Sequence, residues 1–457
     1  MAIKINNEVY ETKRLEVWPK MKELRSKHFW HTWNAQKKGG LLFLGQVYGD
    51  HGFLRGWGHY ANPSIGAHFT RLARTPNAEG LTQVIEVAES YGLGRDVCGA
   101  MKAHIGQIFS GLSQTSPTGE KFCHDIAYNG TGCHAIIKTT QLAAEHMGVP
   151  HLLIDQRVGK YNEKTRHVEY SENAKKYWLA QMNDSIEWME KKTGRKYDDE
   201  AAAEGLKNEW TSRLTWSKCL LLMQNIPSPL SLRTAISLRI PMTTNTADPE
   251  VANYFTMLYD ELKYWVANRI TDHSMEKIRL THENQHPLFR IDVLRSPELY
   301  GAVFVAGVMA EALCLAGRDE NYHFYIPENP FEHGVVLKTR EDILENVWQL
   351  HVVNTSHSAP ENFPEVSYQR AVDWKASAVV VHNDRPCQPA MACSLTRDAY
   401  IREKGIPVAN YTSSQGDPRD FDERRILGPG GELPTFYESL GLSRLESAES
   451  ARPEADD

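Results

Sequence analysis

What this chain lacks narrows its chemistry before any motif is read. No apolar stretch reaches the roughly 20 residues that cross a bilayer. The longest, Tyr300 to Gly317, is interrupted by Glu311. The amino terminus, MAIKINNEVYETKR, has no apolar core of the kind a secretory signal needs, so a cytoplasmic chain is expected. Positive charge is not in excess either. With 51 Lys and Arg against 58 Asp and Glu the formal net charge is −7, the wrong sign for gripping nucleic-acid phosphates. No GxxxxGK[ST] loop occurs, and the glycines of the first sixty residues form no strand-bounded GxGxxG, so no phosphate cradle is read there. There is no CxxC pair, which makes zinc ribbons and ferredoxin-type binding runs weak readings. Seven cysteines, an odd number, are expected in the cytosol as thiols or metal ligands rather than disulfides.

What is present is a layered organisation. At 457 residues the chain is long enough for two to four domains. Residues 1–60 are rich in Trp and Gly (Trp18, Trp30, Trp33, Trp57) and read as an arm packing its tryptophans onto a neighbouring domain or subunit. Residues 61–165 alternate helices and strands, with helices expected near Leu81–Ser90 and Ala135–His146. Residues 166–270 read as helical: Trp178, Met182, Ile186 and Met189 form one stripe of an amphipathic helix closed by Gly194, a core face rather than a cofactor box. Residues 271–445 return to alternation. Strands are expected at Leu288–Leu294, His323–Ile326 and Ala376–His382, and helices at Pro297–Leu315 and Arg340–His351. Residues 446–457, ESAESARPEADD with its neighbours, read as a disordered tail. Strands alternating with helices of these lengths predict an α/β protein: two flavodoxin- or Rossmann-like parallel-sheet domains with a helical region between them.

The most informative feature is an internal repeat. Ile126-Ala-Tyr-Asn129-Gly-Thr-Gly-Cys133 opens a helix that ends in Gly148-Val-Pro150 and a strand. Val380-Val-His-Asn383-Asp-Arg-Pro-Cys387 opens another that ends in Gly405-Ile-Pro407 and a strand. Each unit places one cysteine where strand meets helix, at the carboxyl end of a parallel sheet, the edge at which open α/β sheets bind ligands. Unpaired N–H groups at a helix start lower a thiol's pKa and favour the thiolate. Pro389 suits the first turn of its helix, where no N–H is required. Two matching units suggest two domains closing on a shared object. Cys98, after Gly94-Arg-Asp-Val, begins an apolar helix in the same manner. Cys393 is expected further along the Cys387 helix, pointing away. Cys219 and Cys314 sit in apolar helical stretches and read as small core hydrophobes, and Cys123 is left between spare ligand and core.

At these residues the sequence resembles the family of 2-hydroxyacyl-CoA dehydratases and class I (ATP-dependent) benzoyl-CoA reductases. The segments that carry the resemblance are GLGRDVCGAMKAHIG, GTGCHAIIKTTQLAAEHMGVPHLLID and VVVHNDRPCQPAMACSLTRDAYIREKGIPVANYTSSQGDPRDFDERR. Within the family, the length, GLGRDVC and HNDRPC look closest to the larger, cluster-bearing (beta) subunit of a benzoyl-CoA reductase. WGHYANPSIGAHF is only loosely similar.

The resemblance implies one [4Fe–4S] cluster per chain, held between the domains by Cys98, Cys133 and Cys387, with one iron left open. It implies an iron–sulfur oxidoreductase subunit that dearomatises an aromatic acyl-CoA to a cyclic dienoyl-CoA by single-electron and proton steps. The implied partners are a paralogous smaller cluster-bearing subunit, ATP-hydrolysing activator subunits and reduced ferredoxin; no nucleic acid or membrane is implied. His382 and His134 flank the cysteine loops and are candidate proton donors, against the reading of ordinary loop histidines bonded to backbone. His282, Glu283 and His286 lack HExxH spacing and read as a charged helix-to-strand turn. Asn129 and Asn383 are expected to steady their loops through backbone bonds. Three rivals stand beside this reading: a 2-hydroxyacyl-CoA dehydratase subunit, a subunit that only relays electrons or scaffolds, and a cluster-free α/β binding protein.

Overall fold

The computed structural model describes residues 3–45, 50–61, 72–73, 75–156, 159–355 and 359–446. The Asn62–Phe69 part of WGHYANPSIGAHF and nearly all of the expected tail (447–457) lie outside the described residues.

Two parallel sheets organise the chain, and their strand orders match. β1 (Leu41–Leu44), β2 (Tyr60–Ala61), β3 (Ile126–Gly130) and β4 (His151–Ile154) lie in the order β2-β1-β3-β4. β5 (Arg279–Glu283), β6 (Val303–Gly307), β7 (Ala378–Asp384) and β8 (Val408–Ser413) lie in the order β6-β5-β7-β8. In each, the first and third strands are neighbours, and there the strand order reverses. The α/β class is as expected. The stretch expected as an arm contributes β1 and β2 themselves, after the helix α1 (Trp18–Asn34). Three of its tryptophans are buried, Trp18 beside the second sheet, Trp33, and Trp57 edge-on against Tyr197 at 5.0 Å, while Trp30 is exposed.

Other helices follow from caps and periodicity. α2 (Glu79–Ser90) and α3 (Gly99–Phe109) cross so closely that a Cβ on Gly106 would stand 1.8 Å from the Val84 carbonyl oxygen. α4 (His134–Met147) ends at Gly148 with φ +67°, and α5 (Glu172–Thr193) at Gly194 with φ +69°, left-handed positions that glycine takes without strain. α5 buries the Trp178, Met182, Ile186 and Met189 stripe against the first sheet. α6 (Asp199–Leu222), capped by Asp198, is buried along most of its length. Leu206, Trp210 and Leu214 belong to the core of the first sheet, and Trp216, Cys219 and Leu220 to that of the second. α7 (Pro249–Asn268) packs beside it, and α8 (Arg340–Thr355) closes the first core with Val347 and Trp348. Among the described residues no helix is long and apolar enough to cross a membrane.

Two expectations for the last third are corrected. Pro297–Leu315 is not one helix: a 3-10 stretch of 10 residues, Ile291–Tyr300, ends at Gly301, β6 follows, and Val308–Glu311 is one turn of helix. Val303, Phe304 and Val305 are buried on both faces of the sheet, and such a strand reads as a continuous apolar run that periodicity does not distinguish from a buried helix. The strand expected at Leu288–Leu294 lies earlier, as β5, whose last residues His282 and Glu283 fall in the segment read as a charged turn. Its charges hid it: Arg279 pairs with Glu276 at 2.6 Å and Glu283 with Arg370 at 2.6 Å, both inside the core.

Two outcomes follow. Gly106→Ala, which in an open helix would gain roughly 0.5–1 kcal/mol, is expected here to cost about 2 kcal/mol by forcing α2 and α3 apart, read by denaturant unfolding. His273 is buried between Asp272 (2.7 Å) and Glu276 (3.3 Å). Burial disfavours its charge, yet the two carboxylates outweigh burial and raise its pKa to about 9. A raised folded-state pKa contributes stability that is complete below the unfolded value of roughly 6.5 and lost as pH rises through about 9. Unfolding free energy should therefore fall by up to about 3 kcal/mol from neutral pH to alkaline pH, and His273→Gln should flatten that slope.

Candidate functional site

Cys133 and Cys387 follow β3 and β7, the third strands, at the carboxyl edges where each sheet reverses its order. Both are in extended conformation and serve as N-caps, Cys133 of α4 and Cys387 of α9 (Gln388–Met391). Cys98 caps α3. The three helix starts converge: Cys98, Cys133 and Cys387 line one cavity of about 680 Å³, together with Met101, His134, Lys138, Gln285, Met309 and Gln415. Cys98 is buried and the other two are half-buried, and all three are free thiols.

Cys98 reaches this place because α3 is fastened to the second sheet. A Cβ on Gly99 would meet the Asp417 nitrogen at 2.6 Å, and one on Gly416 the Ala100 nitrogen at 2.2 Å, so two glycine backbones pass where no side chain fits. Lys102, fully buried on α3, reaches Glu89 at 2.7 Å and Asp417 at 3.5 Å. Arg419 bonds Glu89 and Asp417, each at 2.7 Å. Asp417 and Arg419 belong to GDPRDF, which thereby has a physical role: it carries the counter-charges that hold the Cys98 helix. The Gln415 amide, in the same loop, donates to Cys98 Sγ at 3.1 Å.

Electrostatics correct one expectation. Burial raises the Cys98 pKa to about 11, against the opposing pull of the Met101 and Ala100 amides. Burial likewise raises Cys387 to about 12, and the Cys98 and Cys133 thiols add to that shift. At Cys98 and Cys387 desolvation outweighs the helix starts, so these two sulfurs keep the thiol form until a cation takes the proton's place. Among the described residues no three His, Cys, Asp or Glu side chains are grouped as ligands of a single metal ion. Three soft sulfur donors spread around a shared cavity suit a multi-iron cluster better than one ion, and in that sense the residues fit an iron–sulfur group.

The other candidates separate. His134 is exposed and lines the cavity. His382 has no exposed surface. Its Nδ1 contacts the Gln285 carbonyl, its Nε2 lies 2.7 Å from Ser413 Oγ, and burial lowers its pKa to about 4. It packs flat on Tyr411 inside the sheet. Cys393 does not share the Cys387 helix: the chain breaks after α9, and Cys393 is the buried N-cap of α10 (Ser394–Glu403). Cys219 and Cys314 are buried as expected, and Cys123 is exposed. His282 and His286 are buried, with His282 Nε2 2.9 Å from the Tyr411 hydroxyl. Asn129 and Asn383 chiefly tie the third strand to the fourth, through His151 at 2.7 Å and Asn410 at 3.1 Å.

A second cavity of about 420 Å³ shares Gln285, Ala312, Leu313, Cys387 and Pro389 with the first. Its wall carries a buried ion ladder. Arg370 bonds Glu283 and Glu311, each at 2.6 Å, and Arg318 bonds Glu311 at 2.5 Å. The two guanidiniums outweigh burial and hold the Glu311 carboxyl at a pKa of about 2. No spacing in the sequence joins these residues; only the fold does.

Comparison with known proteins bears on this site directly. The family model described as 2-hydroxyglutaryl-CoA dehydratase, D-component, matches residues 78–426, a span that contains all three cysteines and Gln415. The chain belongs to this family. Family relatives include the (R)-phenyllactyl-CoA dehydratase alpha subunit of Clostridium sporogenes, 25% identical over 373 residues, covering 78% of this chain and 80% of the relative. The (R)-2-hydroxyglutaryl-CoA dehydratase subunit alpha of Acidaminococcus fermentans is 24% identical over 310 residues, 65% of this chain and 57% of that protein. The (R)-2-hydroxyisocaproyl-CoA dehydratase alpha subunit of Clostridioides difficile is 20% identical over 362 residues, 77% and 80% of the two chains. All three are dehydratase subunits, so the comparisons favour what the sequence held as the rival to ring reduction.

The α3 anchorage makes a testable claim. Lys102→Met strands Glu89 and Asp417 with Arg419 alone, and is expected to cost about 3 kcal/mol. Cys98, protected in the parent, should then react faster with a thiol reagent when cysteine-containing peptides are followed by mass; an unchanged rate would show that the ion pairs do not hold the helix.

Proposed function

We propose that the chain is the cluster-ligating subunit of a 2-hydroxyacyl-CoA dehydratase type enzyme, with Cys98, Cys133 and Cys387 holding one [4Fe–4S] group. The observation that carries this is the meeting of three cysteines, far apart in sequence, around one cavity at the carboxyl edges of both sheets. The first sheet with the chain up to residue 165, β1 and β2 included, and residues 271–445 are then two α/β domains that share the site. When bound, such a cluster, with one iron lacking a protein thiolate, supplies single-electron transfer and an open Lewis-acid position.

This chain's own residues do the rest. The three thiolates fix the group, and Leu288, Met309 and Leu313 bring apolar surface to the cavity wall, which limits water. The second cavity, which shares Cys387 with the first, offers space for an acyl chain beside the thiols. His134, on the cavity wall, is the histidine placed to hold or move a proton at a bound acyl group. His382, with both ring nitrogens engaged, serves to fix the strand. The alpha-subunit names of the relatives support a partner subunit, and since this sequence has no GxxxxGK[ST] loop we assign ATP use to a separate activator protein.

The test is direct. Anaerobically purified protein should contain about four irons per chain with matching sulfide. Cys133→Ala and Cys387→Ala should lose the iron, and Cys393→Ala should keep it. With its partner and activator, the loaded protein should dehydrate a 2-hydroxyacyl-CoA and leave benzoyl-CoA unreduced; turnover of benzoyl-CoA instead would move the assignment to ring reduction.

A further inference from the structure

One side chain touches a site sulfur without being a ligand. Gln415 is buried at 5% exposure, lines the cavity of the three cysteines, and places its amide nitrogen 3.1 Å from Cys98 Sγ. Its position is fixed from several sides. Its backbone N–H donates to Asp384 Oδ1 at 3.0 Å, and its carbonyl accepts from the Leu288 N–H at 2.8 Å. The residues on either side of it, Ser414 and Gly416, press against Gly99 at the start of α3. The loop therefore delivers a donor to the sulfur without freedom to swing away.

A ligating thiolate has no proton to give, so only the N–H side of an amide suits it. A fixed N–H dipole stabilises negative charge on sulfur, and stabilises it more when an added electron increases that charge. Hydrogen bonds of this kind are among the factors that set an iron–sulfur potential. The asymmetry is informative. Among the described residues Cys98 is the site sulfur that accepts from a side-chain N–H, and that donor follows the last strand of the second sheet, while the helix Cys98 caps is built into the first half of the chain.

We propose that Gln415 is a positioning and tuning residue: its amide orients the Cys98 sulfur and raises the reduction potential of the group that the three cysteines hold. This rests on the reading that Cys98 is a ligand, and the experiment separates the two. The full chain, purified anaerobically, is compared as wild type, Gln415→Leu and Thr243→Val, with iron and sulfide measured before a dye-mediated potential titration followed by electron paramagnetic resonance. Leu keeps most of the volume and removes the donor. Thr243 stands on the same cavity wall with its hydroxyl spent on the Ile240 carbonyl at 2.8 Å, so its loss is the control.

The expected result is iron at the wild-type level in all three, a midpoint potential shifted downward in Gln415→Leu, and no shift in Thr243→Val. An unshifted potential in Gln415→Leu at full iron content overturns the tuning role while leaving the ligand reading intact. Iron lost from Gln415→Leu alone overturns it in favour of a purely structural contact. A wild-type chain without iron overturns the ligand reading and this inference together.

Discussion

A buried ammonium is tolerated only with its counter-charges in place, and Lys102 is such a group. Its partners come from two sides: Glu89 from the neighbouring helix, and Asp417 from the loop that follows the last strand of the second sheet. Arg419 ties the same two carboxylates from outside. Satisfying one lysine therefore obliges helices of the first half of the chain to sit on the carboxyl edge of the second sheet. The glycine crossing of Gly99 and Gly416 then sets how near they come. Take that constraint away and Cys98 has no reason to face Cys387 at all.

The parts of this arrangement that were legible in the sequence are local ones. The Asn-to-Cys spacing, the Gly-Val-Pro and Gly-Ile-Pro returns and the lone cysteine after GLGRDV each report a strand, a helix start or a cap, and each stands where it was read. Two elements were misread for opposite reasons. β6 is so uniformly apolar that it imitated a helix, and the end of β5, His282 and Glu283, imitated a charged turn because Arg370, which neutralises Glu283, stands far away in sequence. The thiol acidity was misjudged because a helix start is visible in sequence and burial is not. Gln415 and the Glu283–Arg370–Glu311–Arg318 ladder were invisible, since each depends on contacts between segments that only the folded topology brings together.

The two cavities share Cys387 in their walls, which otherwise differ in character. One is rimmed by thiols at three helix starts, the other by guanidiniums and carboxylates already matched to each other. A buried ladder of matched charges presents little net field to a neutral acyl chain, yet it holds the Phe363–Asp373 helix and β5 in fixed register through Arg370 and Glu283. Shape is thereby supplied by polar groups without making the space itself ionic.

α6 has a consequence of a different kind. Its 24 residues run roughly 36 Å, with one end embedded in each hydrophobic core. A rigid rod anchored at both ends leaves the two sheets little room to rock or to melt one at a time, so the chain should unfold as one cooperative unit. It also means that the dipoles around the cysteines do not wait to be gathered. On the function proposed above, charge arriving in the cavity would find surroundings with little distance to move, and the reorganisation that slows electron transfer in water would be largely avoided.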